Sequence, residues 1–188
     1  MKKQNWDDIQ EAADFDKPKP GAYIVKIMGV EDSESKEYLK LEYDFAEGEY
    51  KGYYSDLFGS RGFWGGSFIR SYKEKALPFF KAFKTALENS NRGYIFDEDR
   101  LNDMRGKLVG VVLGEEEYTA NNGSIKVRLY VAETRSVEAI RGGDFKVPEF
   151  KSLSGNATAY PSSGGGYSAA PAAGQFAELS DDDGELPF

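Results

Sequence analysis

Apolar and polar positions alternate most cleanly over residues 37–45, with Leu39, Leu41, Tyr43 and Phe45 on one face and Tyr38, Lys40, Glu42 and Asp44 on the other. A period of two over that length specifies a half-buried strand. Upstream, residues 22–30 follow Pro20-Gly21 and carry Tyr23, Ile24, Val25, Ile27 and Met28, which predicts a first strand, with a turn over 31–36. A third strand is predicted from about Lys51 to Phe58, after the turn residues Glu47, Gly48 and Glu49.

Between Ser71 and Asn89 the period changes. Tyr72, Ala76, Phe79, Phe80, Phe83 and Leu87 recur at three- and four-residue steps, the stripe of an amphipathic helix whose Phe79, Phe80 and Phe83 are expected in the core. Ser71 with Glu74 has the spacing of a capping box, and Pro78 favours a later start or a kink. Two further strands are predicted over 106–118 and 124–132, joined by the hairpin signal Asn121-Asn122-Gly123. Strand, strand, strand, helix, strand, strand is the element order of the OB-fold: a mainly β, five-stranded barrel with a helix between strands three and four.

Composition narrows the chemistry. The 188 residues include no histidine and no cysteine, which removes imidazole- and thiolate-dependent catalysis and nearly all zinc sites. The expectation is a protein that is not an enzyme and needs no cofactor or metal. No apolar run is long enough to span a bilayer, and the first eight residues lack the apolar stretch of a signal peptide, so a cytoplasmic protein without membrane contact is expected. The net charge of −8 argues against a polyanionic partner only as an average. Acidic residues gather at Glu115–Glu117 and Asp181–Asp183, leaving basic and aromatic residues mixed elsewhere, and local charge sets the binding field.

The richest mixture is Tyr53, Tyr54, Phe58, Arg61, Phe63 and Trp64, set among four glycines and followed by Arg70, Tyr72 and Lys73. Rings that stack on bases beside cations that follow phosphates are what a single-stranded nucleic acid requires. On the last predicted strand Lys126, Arg128 and Tyr130 point one way and extend the candidate DNA-binding set. Packing of individual rings into the core and a solvated face on the last strand are the bland alternatives. Acidic groups at Asp97–Asp99 and Glu115–Glu117 offer carboxylates to magnesium, yet such clusters are usually only solvated.

Four regions follow: an N-terminal extension over 1–20, the folded body over 21–150, a Gly/Ser/Ala/Pro linker over 151–177 that composition marks as flexible, and an acidic tip over 178–188. The tip reads Asp181, Asp182, Asp183, then Leu186, Pro187 and Phe188, and after such a linker it closely resembles the tail of bacterial and phage single-stranded DNA-binding proteins. Segments of the body, Gly21-Ala22-Tyr23, 48–52, 70–73 and 145–149, look like the divergent members found in phages of Gram-positive bacteria. The resemblance implies a DNA replication, recombination or repair accessory that coats single-stranded DNA, works as a multimer, and recruits partner proteins through Asp181, Asp182, Asp183, Leu186, Pro187 and Phe188. Gly184 and Glu185 are inserted relative to the family's tail. Rival readings are an adaptor whose body binds protein instead of DNA, and a magnesium-dependent nuclease.

Overall fold

A computed structural model describes residues 17–153. Five strands, β1 (Gly21–Ser33), β2 (Tyr38–Phe45), β3 (Ser67–Ser71), β4 (Leu108–Thr119) and β5 (Ile125–Arg135), form one antiparallel sheet in the order β3-β2-β1-β4-β5. Helix α1 (Tyr53–Arg61) lies between β2 and β3, α2 (Leu77–Ser90) between β3 and β4, and the short α3 (Val137–Arg141) after β5. The expected helix between strands three and four is present, but the sheet is open: among the described residues β3 and β5 are its edges and no ladder joins them. No helix among the described residues is long and apolar enough to cross a membrane.

The long β1 serves two neighbours. Its first half pairs with β4 from Gly21↔Leu113 to Lys26↔Leu108, its second half with β2 up to Ser33↔Tyr38, and the register shifts between Ile27 and Gly29. A bulge of that kind bends a strand and strengthens its twist, curling the sheet around its apolar face. Val25, Ile27, Leu39, Leu41, Tyr43, Phe45, Val109, Val111 and Leu113 line that face, and Phe83, Ala86 and Leu87 of α2 close over it. Asn91 fastens the end of α2 to the sheet, donating to the carbonyls of Leu87 and Leu108 (both 2.7 Å) and accepting the Leu108 N–H (2.9 Å).

Four of the five predicted strands are where the sequence reading placed them. The exception is the stretch 51–58, where α1 stands in place of a strand, and β3 forms at Ser67–Ser71. The cause is one side chain outside the stretch. Asp44, 4% exposed at the end of β2, accepts the N–H groups of Tyr54 (3.0 Å) and Ser55 (3.1 Å) as well as the Ser55 hydroxyl. It therefore caps a helix from a neighbouring strand, satisfying donors that α1 leaves free at its N-terminus. Tyr54 and Leu57, three residues apart, then bury on the same side.

Two expectations for α2 are also corrected. No capping box forms: Ser71 Oγ accepts the Lys73 N–H and donates to the Glu37 carbonyl, a turn over Glu74–Ala76 intervenes, and α2 starts at Leu77 with Pro78 in its first turn. Of the three phenylalanines, Phe83 is fully buried and Phe80 half-buried against Phe83 and Phe96, but Phe79 is 44% exposed because the buried stripe starts one turn beyond it.

Replacing Asp44 by Ala strands the buried donors of Tyr54 and Ser55 and is expected to cost about 2–3 kcal/mol. Urea unfolding should show a lower midpoint with an unchanged slope. Full retention of stability would mean that α1 does not depend on this carboxylate.

Candidate nucleic-acid interface

The antiparallel registers decide which candidate residues share an end of the sheet. Gly21↔Leu113, Val25↔Phe45, Glu42↔Ser67 and Leu113↔Val131 bring the start of β1, the end of β2, the start of β3 and the turn-side half of the β4–β5 hairpin to the same end. At that end lie Tyr53, Tyr54, Phe58, Arg61, Phe63 and Trp64, on and just after α1, and across the sheet Lys126, Arg128 and Tyr130. Arg70, Tyr72 and Lys73 lie at the opposite end, where β3 finishes beside the β1–β2 turn.

Tyr54 belongs to the core, which corrects its assignment as a stacking residue. Phe45 lies parallel to it (5.5 Å, 17°), Tyr43 meets it edge-on (5.4 Å) and Trp64 lies at 6.3 Å, so its ring has no open face, and burial raises its phenol pKa. What Tyr54 does is support Trp64. The half-buried indole donates from Nε1 to the Gly66 carbonyl (3.0 Å), which also accepts the Tyr43 N–H (2.8 Å). Only glycine fits at 66, because a Cβ there would run into the Tyr43 carbonyl and the Tyr54 ring. Phe58 meets Trp64 edge-on at 6.1 Å and is 52% exposed. Phe63 and Tyr53 are half-buried against the same cluster, and Arg61 is exposed on the last turn of α1. The outcome is a ring pair, Phe58 and Trp64, held at the surface by a buried aromatic base.

Arg70 is half-buried beside buried Leu39, its guanidinium 4.7 Å above the Phe68 ring and donating to the Ile69 carbonyl (3.0 Å). Desolvation lowers its pKa to about 10, so it stays charged at neutral pH, and among the described residues no carboxylate pairs with it. Tyr72 donates to Asp32 (2.9 Å) and packs edge-on against Phe80; burial, then the Asp32 carboxylate, push its phenol up to about 12. Lys73 is exposed next to it.

On the hairpin, pairing puts Lys126, Arg128 and Tyr130 opposite Tyr118, Glu116 and Gly114, on the outward face. Arg128 binds Glu116 (3.0 Å) and lies over the Tyr118 ring (4.9 Å), while the Lys151 ammonium sits 4.2 Å above the Tyr130 ring. The acidic clusters likewise have structural employment: Glu116 holds Arg128 and Lys151, Glu117 accepts from Ser152 and Leu153, and Asp97 is lowered in pKa by its hydrogen bond from Arg100. Among the described residues no group of carboxylates is arranged to hold a metal ion.

Sequence reasoning missed Lys151, which the composition assigned to the start of the linker and which forms a β-bridge with Glu116. It also missed the cations Lys40 and Arg105, which line a small groove with Gly29, Val30, Glu31 and Glu42. Asp181, Asp182, Asp183, Leu186, Pro187 and Phe188 lie outside the described residues, as do the rest of the linker from residue 154 and the extension up to residue 16. No family model matches the sequence, and no curated protein matches it.

Arg70 places a desolvated cation where an apolar side chain would pack. Its pKa is depressed in the fold, so the cost of keeping it charged is present below about pH 10 and fades as the pH rises toward the unfolded value. Arg70→Met is therefore expected to raise stability at neutral pH by about 1 kcal/mol, read as a higher urea midpoint. A loss of stability would identify Arg70 as a structural residue.

Proposed function

We propose that this protein binds single-stranded DNA without catalysing a reaction, using the Phe58–Trp64 pair as a stacking platform and, for phosphates, Arg70 and Lys73 of β3 and its end, which have no carboxylate partner among the described residues. The observation that carries the reading is the half-exposed Phe58 ring beside the partly buried Trp64 indole, both resting on a buried aromatic base. Large apolar surface left open over a built support is a contact surface, and bases supply the matching π-faces. The strand order β3-β2-β1-β4-β5 is that of an OB barrel opened between β3 and β5, and OB-folds bind oligonucleotides on the faces of strands two and three and the adjoining loops. On the same reading, the chain is a divergent relative of phage single-stranded DNA-binding proteins. Its residues 181–188 then offer a docking site to replication and recombination proteins through acidic side chains and the apolar Leu186, Pro187 and Phe188.

Titration with oligo-dT, duplex DNA and RNA across a salt series tests the reading. Oligo-dT is expected to bind with a log–log salt slope of about −0.7 for each phosphate contacted, and to quench Trp64 fluorescence in a Trp6→Phe background. Phe58→Ala, at an exposed position, should weaken oligo-dT binding by about 1–3 kcal/mol while unfolding shifts by less than about 0.5 kcal/mol. Absence of oligo-dT binding would sink the proposal, and an unchanged affinity for Phe58→Ala would remove the platform.

Deleting residues 181–188 should leave oligo-dT affinity the same or tighter, because the deletion removes negative charge and no proposed DNA contact. Loss of DNA binding on this deletion would contradict the division of labour between body and tip.

A further inference from the structure

The β4–β5 hairpin runs past the end of β1. β1 starts opposite Leu113, so residues 114–119 of β4 have no β1 partner on that edge. The vacated edge is taken by the chain itself. Lys151 pairs there in parallel with Glu116, its N–H donating to Glu115 O (3.0 Å) and its carbonyl accepting the Glu117 N–H (2.8 Å). Ser152 Oγ (2.8 Å) and the Leu153 N–H (3.0 Å) both donate to the Glu117 carboxylate. Pro148 packs on Gly114, where a Cβ would strike both the proline and the Tyr130 ring. Tyr130 is thus enclosed, with Gly114 and Pro148 against it and the Lys151 ammonium over its face at 4.2 Å.

The hold is shallow. Phe150 and Leu153 remain about half exposed, so they bury little apolar surface, and the strand pairing itself is a single bridge of two backbone hydrogen bonds, beside the Glu117 contacts and the long Lys151–Glu116 ion pair. Segments fastened in this way open at low free-energy cost. Each interaction over the ring also has a counterpart in a nucleotide: a base replaces the ammonium on Tyr130, and phosphates replace Glu116 as the partner of Arg128 and Lys151.

We infer that residues 147–153 form a displaceable strap over the outward face of the β4–β5 hairpin, and that single-stranded DNA engages Tyr130 and Arg128 only by lifting it. The inference rests on the proposed DNA binding and adds a regulated second contact surface to the Phe58–Trp64 platform. It also makes the root of the C-terminal segment, residue 153, report on occupancy of the body.

The chain has no cysteine, so one engineered pair tests the strap in a single molecule. Glu116→Cys with Lys151→Cys places two thiols on laterally paired residues about 5 Å apart, within the span of a disulfide. Their native side chains already reach one another at 3.9 Å. With the disulfide closed, oligo-dT should bind at least about fivefold more weakly than after reduction, the factor matching the low end of base stacking. Equal affinity in the two redox states, or tighter binding when closed, would overturn the strap while leaving DNA binding intact. Failure of both states and of the unmodified protein to bind oligo-dT would overturn the functional reading and the strap with it. Hydrogen exchange on the unmodified protein gives a second readout: saturating oligo-dT should speed exchange at the Glu117 and Lys151 amides and leave the β1–β4 ladder protected. Retained protection at both amides under saturation would equally refute strap release.

Discussion

One buried carboxylate organises the end of the sheet on which the candidate surface is built. Asp44 accepts the amides of Tyr54 and Ser55 and the Ser55 hydroxyl, converting the residues after β2 into a helix anchored to the strand they leave. Once α1 is fixed, Tyr54 lies flat on Phe45, Trp64 rests against Tyr54, and Phe58 stands beside Trp64. An anionic acceptor buried with its donors in place makes stronger hydrogen bonds than a neutral one, and an unfilled version would be costly. The Phe58–Trp64 pair is therefore the outer layer of a chain of contacts that begins inside the fold. Rigid support matters for such a surface, because a ring already fixed in place loses less conformational entropy when a ligand covers it.

β2 and β5 were legible because half-buried strands must alternate, and β1 and β4 because their β-prone apolar runs are bounded by turn signals; Val111, Val112 and Leu113 of β4 are all fully buried. Leu39, Leu41, Tyr43 and Phe45 all face the core as their spacing requires. α1 was not legible. Tyr53, Tyr54 and Phe58 favour strands, and the deciding hydrogen bonds come from Asp44, ten residues before Tyr54, whose place in the alternation marked it as an outward polar position. Local propensity was overridden by a tertiary cap, a contact that no periodicity encodes. Phe79 failed for a related reason: helical spacing tells which residues share a face, not where along the helix the sheet begins to cover that face.

Site residues followed the same division. Residue type identified rings and cations suited to a nucleic acid, but the strand registers distribute them over two ends of the sheet, and sequence order does not reveal that. Tyr54 went to the core because its neighbours Tyr43 and Phe45 occupy the sheet's inner face directly beneath it. Lys126, Arg128 and Tyr130 share one face of β5, yet Lys151 covers Tyr130 from a segment whose composition reads as linker. The linker-like composition that follows Lys151 hid a pairing that needs only a vacant strand edge, with the Glu115 carbonyl accepting from Lys151 and the Glu117 N–H donating to it.

The distribution of paired and unpaired charge gives the proposed surface a direction. Arg128 and Lys151 already share the Glu116 carboxylate, Arg128 at 3.0 Å and Lys151 at 3.9 Å, so a phosphate meeting them competes with an existing partner. Arg70 has no carboxylate partner among the described residues and is poorly solvated, so an anion arriving there removes an existing cost instead of replacing an existing bond. On the proposed reading, first capture therefore falls to β3 and to the rings at its start, where no ion pair among the described residues has to break. The hairpin joins later, once local strand concentration is high enough to compete with the strap. Such an order makes the second contact sensitive to how much DNA the first has gathered, using only a difference in how completely two sets of cations are satisfied within the fold.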